Sequence, residues 1–229
     1  MQKWILRGAF LLFIGALFAA VHFLAPPQHV PWKPVSLDRP IGWATGAQLD
    51  RLSHTPDYCR AALGKAGVEF ADLEVEATNE NCSLAGAINL ERSVTPYNAP
   101  VRTTCPLAAA LYVWERDVLH PAAEKYLGHE VSRIETYGTF SCRRMYNRAS
   151  APWSEHATAN AIDIAGVTLA DGSRVMVKQD WRADSPEGEF LKEIFEGGCR
   201  VFRVGLGPDY NAAHADHFHF DMGGGMTCR

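Results

Sequence analysis

Three absences narrow this chain before any residue is given a role. It carries no excess of positive charge: 22 Lys and Arg stand against 26 Asp and Glu, a net −4, so no basic field draws a nucleic acid. No C-x-x-C pair occurs among the six cysteines at 59, 82, 105, 142, 199 and 228, which argues against a zinc ribbon or a thioredoxin-type redox motif. No internal repeat runs along it, so a solenoid has no basis. What remains, 47% hydrophobic and 21% charged residues over 229 positions, is an ordinary globular composition, enough for one domain plus appendages.

Only one long apolar run is present, and it stands at the N-terminus. Lys3 and Arg7 precede Gly8 to Ala25, which is broken only by His22 and stops at Pro26-Pro27. Its 18 residues come to roughly 27 Å as a helix, enough to cross a hydrocarbon core with some thinning. Cations before it and none inside predict a cytoplasmic N-terminus and an exported remainder. A cleaved signal peptide is the competing reading. Ala19 or Ala20 would then end it, although Leu17 and Phe18 occupy the positions where a small residue is expected. The expected locations are therefore the inner membrane facing the periplasm, or the periplasm itself after cleavage.

Export changes what the cysteines mean. In an oxidising compartment six cysteines predict up to three disulfides rather than catalytic thiols, and proximity suggests Cys59 with Cys82. The expected organisation is a membrane anchor or signal segment over 1–25, a Pro-rich linker over 26–40 acting as an extended spacer, and an extracytoplasmic domain over 41–229.

Within that domain, residues 45–66 allow one or two helices interrupted near Pro56, and 70–81 reads as an acidic loop with a short strand. Ala85 to Leu90 reads as a strand, and Pro106 to Tyr126 as the best helix, with Pro121 breaking its end. Strands are expected over Glu130–Tyr137, 201–206 and 216–221. Ile162–Leu169 and Arg174–Lys178 form a hairpin about Asp171-Gly172, and Glu187–Glu196 forms an amphipathic helix. The sum is α+β, with a small antiparallel sheet packed with helices and carrying the polar residues described next.

Those residues fall in two stretches, 154–163 and 214–221. On an extended strand His217 and His219 project to one side while Phe218 and Phe220 project to the other. His156 and Asp163 are seven apart with small residues between them, a spacing that a turn into a strand can close around one ion. Two imidazoles and one carboxylate suit Zn2+ and leave a position open for water or substrate, so His156, Asp163 and His219 are the expected metal ligands. An ion there activates water and polarises a carbonyl. His217 is the candidate base, and Arg143 the candidate cation for the developing oxyanion.

These motifs carry a resemblance. Ser154-x-His156-x-x-Ala159-x-Ala161-x-Asp163 with His217-x-His219 resembles the zinc signature of the superfamily of D-alanyl-D-alanine carboxypeptidases, lysostaphin-like peptidases and the hedgehog signalling domain. Cys142-Arg143, Ser154 to Ala157, Asn160 to Ile164, Leu206 to Asp209 and Asp216 to His219 resemble more closely the bacterial extensin-like C-terminal domain family, from about Cys59 onward. No hydroxyproline-type repeat accompanies them. The resemblance implies zinc on His156, Asp163 and His219, assistance by His217, and an arginine presented to substrate near Arg143. With the compartment, it implies a zinc peptidase cutting peptidoglycan peptide amide bonds, including those of D-amino acids. The alternative is a non-catalytic metal-binding module of the cell envelope. The peptidases usually carry Gly where this chain has Ala159.

Other readings stay open or bland. Arg143 is equally suited to pair with Glu155 or Asp221. Ser154 reads as a cap for the turn carrying His156, since no base follows a serine-hydrolase pattern. Glu155 is placed to orient its neighbouring ligand. His214 reads equally as a holder of water or substrate and as a surface residue, and Asp216 has no role. His22, His29, His54, His120 and His129 are assigned nothing, and Trp153, Trp181, Phe202, Phe218 and Phe220 are expected in the core.

Overall fold

The computed structural model describes residues 2–73, 79 and 81–229. The loop expected over 70–81 falls in part on 74–78 and 80, which lie outside the described residues. Gln2–Leu24 forms helix α1. Within it Leu6–Leu24 is apolar and long enough to cross a membrane, and none of it is buried against the rest of the chain. A membrane anchor and a signal peptide share that description.

The Pro-rich stretch that follows does not hold the spacer expected of it. Gln48 Nε2 donates to Pro27 O and Val30 O at 2.8 and 2.9 Å, and Arg116 donates to the carbonyls of Leu37 and Arg39. Val30, Val35 and Leu37 are buried. The prolines alternate with apolar residues, and a residue without an N–H leaves no donor to satisfy when the chain lies flat on a core.

The domain begins with two short helices, α2 (Thr45–Asp50) and α3 (Pro56–Lys65), separated before Pro56 as expected. Strands β1 (Glu69–Asp72), β2 (Ile88–Arg92) and β3 (Val101–Thr103) make a three-stranded antiparallel sheet. Helix α4 (Cys105–Trp114) is capped by Thr104, whose side chain accepts from Leu107 N. The helical run continues past Tyr126 to Leu127, as expected: a π-turn over Glu115–Leu119 is set within it, and α5 (His120–Leu127) follows without a gap. The break expected at Pro121 does not occur, because the π-turn just before it accommodates the missing N–H.

The π-turn carries Glu115, fully buried. Its carboxylate accepts from Thr95 N at 2.8 Å and from Tyr97 Oη at 2.5 Å, tying the β2–β3 connection to the helix. Burial pushes its pKa up from 4.5 to about 7, against the hydrogen bonds from Tyr97 and Thr95 that favour the charged form. The folded chain therefore holds this proton more tightly than the unfolded one, and stability falls as pH rises between those two values. Denaturant unfolding over that interval should show a slope of at most about 1.4 kcal/mol per pH unit from this group. Glu115→Gln, which cannot ionise, should flatten it.

The second sheet holds six strands. In chain order these are β4 (Val131–Gly138), β5 (Ala161–Leu169), β6 (Arg174–Met176), β7 (Val204–Leu206), β8 (Phe218–Asp221) and β9 (Thr227–Cys228). Spatially they run β4-β5-β8-β7-β9 with β6 beside β5. All pairs are antiparallel except β7 with β9. The expected hairpin is present about Gly172, whose φ of +86° suits glycine. The expected strand over 201–206 is shorter, because Val201 and Phe202 turn inward at the end of a helix.

Helices α6 (Val177–Asp180) and α7 (Pro186–Gly198) follow β6, α7 capped by Ser185. Ile162, Ile164, Phe218 and Phe220 face α4 and α7 with no exposure. Trp114 Nε1 donates to Ile194 O at 2.9 Å across that layer. A Cβ on Gly198 would stand 2.5 Å from the Phe220 ring, so only glycine lets α7 lie this close to the sheet.

Three disulfides close the domain: Cys59–Cys105, Cys82–Cys142 and Cys199–Cys228. The expected pairing of Cys59 with Cys82 is overturned. Packing of α3 against the first turn of α4 brings Cys59 to Cys105, and Cys82 meets the loop after β4. Proximity in sequence was the wrong guide because helix packing sets the distances.

Candidate metal centre

Two strands and one turn assemble the centre. Asp163 on β5 pairs directly with His219 on β8, and opposed residues of an antiparallel pair share a face. The alternate positions, Ile162 with Phe220 and Ile164 with Phe218, fall on the core face. His156 arrives from a 3-10 turn over Glu155–Thr158, capped as expected by Ser154, whose side chain accepts from His156 N. The turn closes at Ala159, buried with φ +54° and ψ +30°. Glycine adopts that left-handed backbone most easily, and Ala is the smallest side chain that can take its place.

Three donor atoms converge. His156 Nε2 lies 3.2 Å from Asp163 Oδ1 and 3.2 Å from His219 Nδ1, and His219 Nδ1 lies 3.0 Å from Asp163 Oδ1. The outer nitrogens fix the tautomers. His156 Nδ1 faces Thr139 O at 3.1 Å, which only accepts, so Nδ1 carries the proton. His219 Nε2 donates to Asp221 Oδ2 at 2.9 Å. Each ring thus turns its inner nitrogen to the centre, where the two nitrogens and the Asp163 oxygen crowd together. They call for a cation between them. An ion bound at about 2.1 Å by each donor of a tetrahedron would hold them roughly 3.4 Å apart, close to what is found. His156, Asp163 and His219 can therefore hold a metal ion.

The electrostatics agree. Burial alone would raise the pKa of Asp163, but hydrogen bonds from His156 and His219 and the nearby His217 outweigh it and hold the carboxyl well below the usual carboxylate range. Burial likewise opposes protonation of His219. Its two carboxylate partners, Asp163 and Asp221, overcome that and lift its pKa to about 9, marking the pocket as cation-seeking.

His217 precedes β8 by one residue rather than lying on it, yet its ring still turns to the site. Nε2 stands 3.5 Å from Asp163 Oδ1, while Nδ1 donates to Asp216 Oδ1 at 2.9 Å. Asp216, given no role by the sequence, thus orients the ring so that Nε2 of His217 faces the site. His214 is buried and donates Nδ1–H to Asn211 Oδ1 at 2.8 Å. Burial, then the charges of His217 and His219, lower its pKa to about 4 and keep it neutral.

Arg143 lines the same cleft and is half-buried. Among the described residues its guanidinium has no carboxylate partner. Glu155 accepts instead from Asn160 at 2.8 Å, and Asp221 from His219 and from Gly223 N. The cleft encloses about 580 Å³ and is also lined by Tyr146 and Trp153. Trp153 departs from the expected core position: Arg144 lies over its ring at 4.5 Å. Phe202, Phe218 and Phe220 are core residues, and Trp181 packs edge-on against Phe218.

The sequence reading missed the groups behind the ligands. Asp221 was within reach, being two residues from His219 and so on the same strand face. Thr139 was not, because it acts through its backbone carbonyl. Asp221→Asn removes the carboxylate that holds Nε2–H of His219. Competition against a chelator should show metal affinity lower by about 10–100-fold, with the fold unchanged.

Residues 57–229 match the family model described as Extensin-like protein C-terminus. No curated protein and no solved structure matches the chain. The match covers well over half of the sequence and contains the turn, both strands and all three converging donors, and on it the chain belongs to the extensin-like C-terminal family.

Proposed function

We propose that this protein is a zinc-dependent peptidase of the cell envelope that cuts peptide amide bonds of peptidoglycan, including bonds to D-amino acids. One observation carries the reading: three possible metal donors converge in a cleft that also holds an oriented imidazole, His217, and an arginine without a carboxylate partner among the described residues. Two neutral imidazoles and a carboxylate suit Zn2+ and leave a coordination position open. The bound ion supplies Lewis acidity and an acidified water.

The chain's own residues do the rest. His217, its Nδ1–H fixed on Asp216, accepts a proton at Nε2 from the attacking water and returns it to the leaving amine. Arg143 is free to take the negative charge that develops on the scissile carbonyl or a carboxylate of the substrate. His214, neutral with Nε2 bare, offers an acceptor to a substrate N–H. Trp153 and Tyr146 give the cleft an apolar wall. The resemblance of these motifs to those of zinc D-Ala-D-Ala peptidases, together with the export expected from the N-terminal apolar helix, favours murein as substrate.

A module that merely binds metal needs neither His217 turned to the site nor an uncommitted Arg143. His217→Ala separates the two readings. The variant should bind one zinc per chain with unchanged affinity and lose at least about 100-fold in turnover of murein peptides. Equal turnover by variant and wild type would remove His217 from the mechanism.

A further inference from the structure

The chain leaves its apolar helix and enters the folded domain with almost no slack. Pro27 O is already held by Gln48, and Gln28 O by Ala44 N at 2.9 Å, so only Ala25 and Pro26 separate the end of α1 from the domain. Lys33 Nζ reaches back to Ala25 O at 3.3 Å. Trp32 folds back along α1, stacking on Phe18 with ring centroids 4.9 Å apart and donating its indole N–H to His22 Nδ1 at 3.0 Å. His22 is the single polar break in the apolar run, and an imidazole in hydrocarbon without a partner is costly. Trp43 stands on the same corner, 80% exposed, its backbone N–H donating to His29 Nδ1 at 3.1 Å. Arg51 donates to Lys33 O at 2.7 Å and adds a second cation there.

We propose that this corner of the domain, Trp32 and Trp43 with Lys33 and Arg51, is seated in the headgroup layer of the bilayer that α1 crosses, and that α1 is kept as an anchor rather than removed. Leu6–Leu24 is 19 residues long, about 28 Å of helix against a hydrocarbon core of about 30 Å, so no length is left to lift the domain away. Trp32, hydrogen-bonded to His22 about 3 Å before the outer end of the span, is then at the depth where indoles collect, apolar ring inward and N–H satisfied. Lys33 and Arg51 face anionic headgroups, and Trp43, otherwise a large apolar surface in water, gains an apolar neighbour. The seating holds the cleft within a domain's width of the membrane, roughly 40 Å. It does not depend on what the cleft hydrolyses.

Bromine-labelled lipid quenches indole emission only at close range, so the full chain in nanodiscs of dibrominated phosphatidylcholine and phosphatidylglycerol reports the seating directly. Trp4, Trp32 and Trp43 are the three indoles at the bilayer. Trp43→Phe and Trp32→Phe should each remove about one third of the quenchable emission. Quenching unchanged in Trp43→Phe overturns the proposal, and that exposed site makes misfolding no excuse. A mature chain whose intact mass shows it starting after Ala19 or Ala20 overturns it equally.

Discussion

Alanine in place of His219 should abolish metal binding and leave the fold standing. His219 brings one of only three converging donors, and its ring is fixed at both nitrogens, by Asp163 at 3.0 Å and Asp221 at 2.9 Å. Its side chain lies on the cleft face of β8, while the neighbouring Phe218 and Phe220 carry the packing. Loss of a carboxylate behind a ligand costs roughly 10–100-fold in affinity, and loss of the ligand itself costs more than that. Zinc measured by elemental analysis after dialysis should fall from one per chain to a trace. His54→Ala, at an exposed histidine, should keep one per chain, and far-UV dichroism should be alike in all three proteins. Full occupancy in the His219 variant would place the ion elsewhere.

Replacing Cys82 and Cys142 together by serine should cost the fold most. The bridge closes a loop across a sequence separation of 60, and the entropy returned to the unfolded chain corresponds to about 4 kcal/mol. For a domain of this size that lowers the melting temperature by roughly 10 °C. The damage should be uneven. Ser141 N donates to His156 O at 3.0 Å, so the metal turn keeps a backbone tie of its own and zinc binding should survive. Arg143 follows Cys142 directly and loses its clamp, so turnover should fall further than zinc occupancy. A calorimetric scan and a zinc titration on the same sample would separate the two effects.

How far the sequence reached depends on the kind of interaction involved. The converging trio was legible because strand alternation fixes which side chains share a face, and because the six mostly small residues between His156 and Asp163 can fold into a turn and a strand. The hairpin, the amphipathic α7 and the cap at Ser154 were legible for the same local reasons. What escaped was set by packing between elements distant in sequence. Cys59 meets Cys105 only because α3 lies on α4, and the Pro-rich stretch is held to the domain by Gln48 and Arg116, whose reach no local pattern shows. The break expected at Pro121 is absent because a π-turn over Glu115–Leu119 absorbs the proline within a continuous helix, which no local pattern shows. Asp216 was passed over because its effect is on the tautomer of its neighbour rather than on the ion.

The central claim, a zinc peptidase acting on wall peptide, is tested most directly by mass-spectrometric analysis of products after purified murein is incubated with the zinc-loaded full chain. The account predicts newly freed amino and carboxyl ends at a peptide amide bond, abolished by a chelator and restored by zinc. One zinc bound per chain with no product released from murein or from D-Ala-D-Ala peptides would contradict it.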